Sequence, residues 1–247
     1  MCGRLNLSLD PADLVDELDI ARDGYPYRER YNVPPSAVIP IIADRPAESG
    51  EVSRRLEAAR WGLVPGWAKD IGIGSRAFNA RSETIADKPM FRTALGARRC
   101  IVPCAGYYEW ERTEAGKQPW FMHPESGDWL FMAGVFEFRR VDAELADGTV
   151  TGEDPAVQDG WLVSASIITA PAAGHLTQVH DRMPVMLDRA GVERWLDPSL
   201  AKEEAAAVLG AAIADFDPTM VARRRVGQAV GKVGNEGPQL VAPVPAP

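Results

Sequence analysis

The chain has 247 residues, 46% of them hydrophobic, which is enough to bury the core of one domain. Its 27 Lys+Arg stand against 35 Asp+Glu, a formal net charge of -8, so no global attraction to nucleic acid or anionic membrane is expected and any polyanion site must be local. Asp10, Asp13, Asp16, Glu17 and Asp19 crowd the beginning, which excludes a secretory leader, and no run approaches the roughly 18 apolar residues of a membrane span; a cytoplasmic protein is predicted.

In chain order, GRLNLSL alternates as a strand. DPADLVDEL then starts a helix with Asp10 as N-cap, Pro11 at the first helical position and acids in the first turn. AVIPIIAD and RRLEAARWGL read as further strands, and RSETIADKPMFRTAL as two short helical pieces broken at Pro89. Arg98 to Glu111 reads as one long central strand, and PWFMH, a PESGD turn and WLFMAGVFEF as a hairpin. Residues 141–160 are acidic and turn-rich, a solvated loop inserted between strands, because WLVSASIITA resumes core patterning at once. GVERWLDPSLAKEEAAAVLGAAI gives two surface helices separated at Asp197 and Pro198, and a proline-rich tail, 237–247, follows with its last residues disordered. Many short strands and few helices predict a single α+β domain, 1–236, with a mostly antiparallel, barrel-like β-sheet core and short flanking helices.

Three cysteines, an odd number, fit a reducing compartment better than a disulfide framework. Cys100 and Cys104 lie in RRCIVPCAGYYEW, where an extended chain carries four residues over about 13 Å, too far for two thiolates on one zinc. Both read as small core residues, and neither a metal nor a cofactor is predicted.

Four segments carry more functionality than a core requires. MCGR places Cys2 where removal of Met1 would leave a 1,2-aminothiol, an amine of pKa about 7.7 to 8 joined to a thiol of about 8.5. In CAGYYEW, alternation puts Ile101, Ala105, Tyr107 and Glu109 on one face, and a carboxylate ending such a run is either driven toward neutrality by burial or caps an exposed strand end beside Arg112. VHDRMPV offers His180 beside Asp181, as a proton shuttle or as a structural turn residue. AFNARSET points Asn79 and Arg81 the same way, toward a substrate oxygen or phosphate or toward loop hydrogen bonds. Trp61 and Trp67 sit on a Gly/Pro-rich loop; Trp61 fits the core, and Trp67, near Lys69, is the better contact for a nucleobase.

With these segments in view, the chain resembles the SOS response-associated peptidase (SRAP) family of abasic site processing proteins. MCGR, RWGLVPGWAKD, NARSET, CIVPCAGYYEW and VHDRMPV stand in that family's order along most of the chain. The resemblance implies that Cys2 becomes the N-terminal residue and links covalently to the ring-opened aldehyde of an abasic site in single-stranded DNA, as a thiazolidine. It implies that Asn79, Glu109 and His180 complete the site: Glu109 as acid/base, His180 as proton shuttle, Asn79 orienting the terminal amine. Arg4, Arg81 and Arg182 then hold flanking phosphates, with Trp67 and Trp110 as further strand contacts. A monomer, nucleoid-associated when bound to DNA, is expected, and the peptidase label is compatible with self-processing by the same cysteine. The acidic stretch 141–160 is longer than the usual connection, and VGKVGNEGPQLVAP lacks the paired asparagines of the family. Two other readings stand beside this one: an N-terminal-nucleophile amidohydrolase, since glutamine amidotransferases also begin Met-Cys-Gly, and a non-catalytic single-stranded DNA-binding module.

Overall fold

A computed structural model describes residues 2–46, 50–114, 116–141, 150 and 154–245. The elements run β1 (Leu5–Leu7), α1 (Asp13–Glu17), β2 (Arg22–Asp23), β3 (Arg30–Val33), β4 (Val38–Pro46), β5 (Val52–Trp61), β6 (Asn79–Arg81), α2 (Arg92–Ala97), β7 (Arg99–Cys104), β8 (Gly106–Thr113) and β9 (Gly116–Pro124). They continue with β10 (Leu130–Arg140), β11 (Val157–Gln158), β12 (Trp161–Pro171), β13 (Arg182–Pro184), β14 (Met186–Leu187), α3 (Arg189–Leu196), α4 (Lys202–Ala214) and β15 (Val221–Arg225). These form an α+β domain with two sheets. A five-stranded sheet, β15-β9-β8-β1-β3, is antiparallel throughout. A ten-stranded sheet follows the path β11-β12-β10-β7-β4-β5-β2, with β6, β13 and β14 attached at its side.

Period-two alternation along the long strands decides how the layers stack. On β7, Cys100, Val102 and Cys104 pack with Leu5, Tyr107 and Met122 of the smaller sheet, while Ile101 turns to the helices. On β10, Met132 and Phe136 join the inter-sheet core, and Ala133 and Val135 pack with Leu95, Val192 and Trp195 of the helical layer. The larger sheet is therefore the middle of three layers. Burial on both faces explains why WLVSASIITA is an almost continuous apolar run and not an alternating one. Described helices are all too short or too polar to cross a membrane.

One buried arginine ties the helical layer down. Arg99 donates to the carbonyl oxygens of Leu95 at 2.9 Å, Gly96 at 3.0 Å, Trp195 at 2.9 Å and Asp197 at 2.5 Å. Those oxygens belong to the C-terminal turns of α2 and α3 and have no intrahelical donor of their own. The fully buried Trp195 in turn donates from Nε1 to the Cys100 carbonyl at 2.9 Å, locking α3 to β7.

Several sequence-based expectations need correction. Arg98 to Glu111 is not one strand: β7 belongs to the larger sheet and β8 to the smaller, with the change at Ala105 and Gly106. A side chain at 106 would place its Cβ 2.4 Å from the Met122 carbonyl oxygen and 2.6 Å from the Phe121 ring, so only glycine permits this approach. The break resets the alternation, which is why Ile101 faces the helices while Tyr107 joins Cys104 between the sheets. Likewise β9 and β10 are not a hairpin. The PESGD turn carries the chain from one sheet to the other, and β9 pairs instead with β8 and β15. RSETIADKPMFRTAL yields one helix, α2, preceded by turns, and α1 begins at Asp13, with Asp10 accepting from the Ala12 amide at 3.0 Å in the turn before it.

Within 141–160, β11 pairs with β12, and residues 142–149 and 151–153 lie outside the described residues. The tail packs through a 3₁₀ turn at Pro238–Val241, whose Leu240 is buried with Tyr108, Phe121, Val226 and Val230 on the outer face of the smaller sheet. Its last two residues are also outside the described set. Cys100, Cys104 and Trp61 are fully buried, as the sequence predicts.

Candidate active site

Cys2 lies three residues before β1, an interior strand of the smaller sheet, and is buried in the inter-sheet core with no exposed surface. Burial, then the neighbouring Glu109 and Cys104, pushes its thiol well above the usual range, so the resting group is the neutral thiol. Asn79 opens β6, which lies parallel to β12 with Asn79 opposite Ile167. From there Nδ2 donates to the Cys2 carbonyl at 2.7 Å, while Oδ1 is buried without a hydrogen-bond partner among the described residues.

Glu109 stands two residues along β8 from Tyr107 and so shares its face, turned to the inter-sheet core. It is 4% exposed, and burial raises its pKa, with His180 among the groups that oppose the shift. His180 lies between the 3₁₀ turn Gly174–Gln178 and β13. Its Nδ1 is 2.9 Å from Asp181 Oδ1 and 3.0 Å from the Arg182 amide nitrogen. When Nδ1 accepts from that amide the proton resides on Nε2, and when Nδ1 is protonated it donates to Asp181; both states have a partner ready. Asn79 thus touches the backbone of residue 2, Glu109 lies near its thiol, and His180 lies near Glu109.

Tyr107 belongs to the same cluster and was not singled out in the sequence. Its hydroxyl is pushed well above its usual pKa by burial, then by Cys2 and Glu109, so it stays a neutral hydrogen-bonding group beside them. An aromatic in an apolar strand gives no sign of such a position; only the glycine one residue earlier marks the sheet change that turns it inward.

The predicted strand contacts fall into two classes. Arg81 and Trp67 are exposed, the latter at 63%, and Trp67 lines a surface recess with Lys69 and Arg76. Arg4 and Arg182, by contrast, have protein partners. Arg4 donates through Nη1 to Asn32 Oδ1 at 2.7 Å and to the Val230 carbonyl at 2.9 Å, with its guanidinium 5.7 Å from the centre of the Trp110 ring. Arg182 forms a two-point ion pair with Glu83 and donates to the Thr169 carbonyl at 2.6 Å; it holds the Glu83 carboxyl down to about 2. Among the described residues no three His, Cys, Asp or Glu side chains converge as a metal site.

Comparison with known proteins extends over the whole arrangement. Residues 1–233 match the family described as SOS response associated peptidase (SRAP). The abasic site processing protein YoqW of Bacillus subtilis is 32% identical over 246 residues, 98% of this chain and 99% of that protein. The abasic site processing protein YedK of Escherichia coli is 30% identical over 250 residues, 99% of this chain and 100% of that one. A crystal structure of a Bacteroides thetaiotaomicron protein shares the fold with a TM-score of 0.78 at 25% identity, covering 98% of this chain and 100% of that chain.

Proposed function

The chain belongs to the SRAP family, and from that membership we propose that it captures abasic sites in single-stranded DNA by joining them covalently to Cys2 once Met1 has been removed. The observation that carries this reading is the convergence of Asn79 and Glu109 on residue 2, with Asn79 Nδ2 2.7 Å from the Cys2 carbonyl oxygen.

The chemistry follows from the groups present. The Cys2 amine adds to the lesion's aldehyde carbon, forming a C–N bond and a carbinolamine. Glu109, whose buried carboxyl holds its proton to higher pH than an exposed one, donates in its acid form to the departing hydroxyl, which leaves as water and gives a Schiff base. The Cys2 thiol then adds to the same carbon: a C–S bond forms, the C=N π electrons return to nitrogen, and the thiol proton ends there. Because both nucleophiles are on one residue the closure is intramolecular, which favours the five-membered thiazolidine over hydrolysis of the imine. Asn79 fixes the residue 2 carbonyl and leaves Oδ1 free to accept from the amine. His180, with a partner for either protonation state of Nδ1, moves the proton of the sugar oxygen during ring opening. Removal of Met1 is the only peptide cleavage this scheme requires.

Intact mass before and after incubation with an abasic oligonucleotide tests the reading. The expected result is a chain lacking Met1 that gains the mass of one oligonucleotide, less water, in a denaturant-resistant form. Cys2→Ala should give no such species, and one alanine inserted between Met1 and Cys2 should abolish it while strand binding persists. A stable conjugate from the insertion variant would refute the aminothiol mechanism.

A further inference from the structure

Strand β15 carries Arg223, Arg224 and Arg225 in succession, and none has a part in the chemistry above. Its register places them with respect to the site. Arg225 is opposite Trp120 on β9, and Trp120 is opposite Glu109 on β8; in the next row Arg223, Met122 and Tyr107 are opposed. Directly opposed residues share a sheet face, so both rows lie on the face that carries Glu109 and Tyr107. Two strand spacings, about 10 Å, separate the Arg225 backbone from that of Glu109.

Trp120 stands between the two arginines. The Arg223 guanidinium carbon is 4.9 Å from the Trp120 ring centroid and that of Arg225 is 5.8 Å away, while Nε1 donates to Glu111 Oε2 at 2.8 Å and fixes the ring. Arg223 Nη2 reaches Gln178 Oε1 at 2.5 Å, on the turn that leads into His180, and Arg225 Nη2 donates to Gln118 Oε1 at 3.1 Å. Both guanidiniums are thus oriented by neutral amide oxygens, and no carboxylate among the described residues pairs with either. Arg224 points to the opposite face, 5.2 Å from the Phe121 ring centre. On a chain of net charge -8, two half-buried cations held in place with their charge uncancelled, beside the site, call for an anion.

We propose that Arg223 and Arg225, spaced by Trp120, form a subsite for backbone phosphates of the strand flanking the lesion. The inference rests on the DNA-capture reading and adds the side from which the strand enters. It is tested by equilibrium binding of a single-stranded oligonucleotide with a tetrahydrofuran in place of the abasic sugar, which has no aldehyde, across a series of salt concentrations. For Arg223→Gln/Arg225→Gln the slope of log K against log salt should shrink by about 1.4, two phosphates at about 0.7 each, with affinity about tenfold or more lower at low salt. Arg224→Gln, the same charge change on the opposite face, should keep the wild-type slope, and Arg223→Lys/Arg225→Lys should recover most of it. A wild-type slope in the double glutamine variant, or an equal loss in Arg224→Gln, overturns the subsite. Conjugation of wild type with an aldehyde-bearing strand is scored separately: its absence refutes capture, whatever the slopes show.

Discussion

Glu109 owes its role to its surroundings more than to its residue type. Burial raises its pKa, so the proton-donating form persists above the ordinary carboxylic range, and conjugation should slow as pH rises through that pKa. Glu109→Gln should remove this limb of the pH profile and cut the rate by about 10² to 10⁴. The same shift has a stability sign. A carboxyl whose folded pKa is raised contributes stability that is complete below its unfolded pKa of about 4.3 and is lost as pH rises through the folded value. Glu109→Gln should therefore melt above wild type at pH 7, and the gap should close toward pH 4; a constant difference across that range would contradict the burial argument. Cys2, Asn79, Glu109 and His180 stood out in the sequence as candidates, but each alone also suited a structural role, and what joined them into one site was the order of five segments shared with a known family. Tyr107, Trp120, Arg223 and Arg225 were not, since their placement depends on which strands pair, and cross-strand register is not written in any local pattern.

Among elements, the helical layer depends on Arg99, which serves four carbonyl oxygens at the ends of α2 and α3. Arg99→Leu removes the side-chain donor from all four, leaving Asp197 only its bond from the Leu200 amide, and chemical denaturation should show a loss of about 3 kcal/mol, with the helices loosening before the sheets. The separation of α3 from α4 was readable because Pro198 stops a helical period. The division of β7 from β8 was not, because a single glycine in an apolar run also suits an uninterrupted strand, and what demands it is the Met122 carbonyl, 16 positions further along the chain from Gly106. Turn chemistry at PESGD correctly signalled a reversal, but a turn residue carries no information about which sheet receives the next strand.

At the scale of the molecule, the α+β class was legible from the density of short strands, whereas the three-layer order was not, since it comes from strands apolar on both faces. The C-terminal segment completes the outside of the smaller sheet. Its Leu240 is 2% exposed against Tyr108 and Phe121, and Val244 donates its amide to the Arg225 carbonyl at 3.0 Å. Ending the chain at Gly237 should thus lower stability by about 2 to 3 kcal/mol, read as a lower denaturation midpoint. The position of β1 has a mechanical consequence. The residue proposed to hold the lesion leads straight into a strand flanked by β8 on one side and β3 on the other, not into a loose end. A pull on DNA attached there would load the pairing of β1 with both neighbours within three residues of the linkage, where a frayed terminus would simply trail.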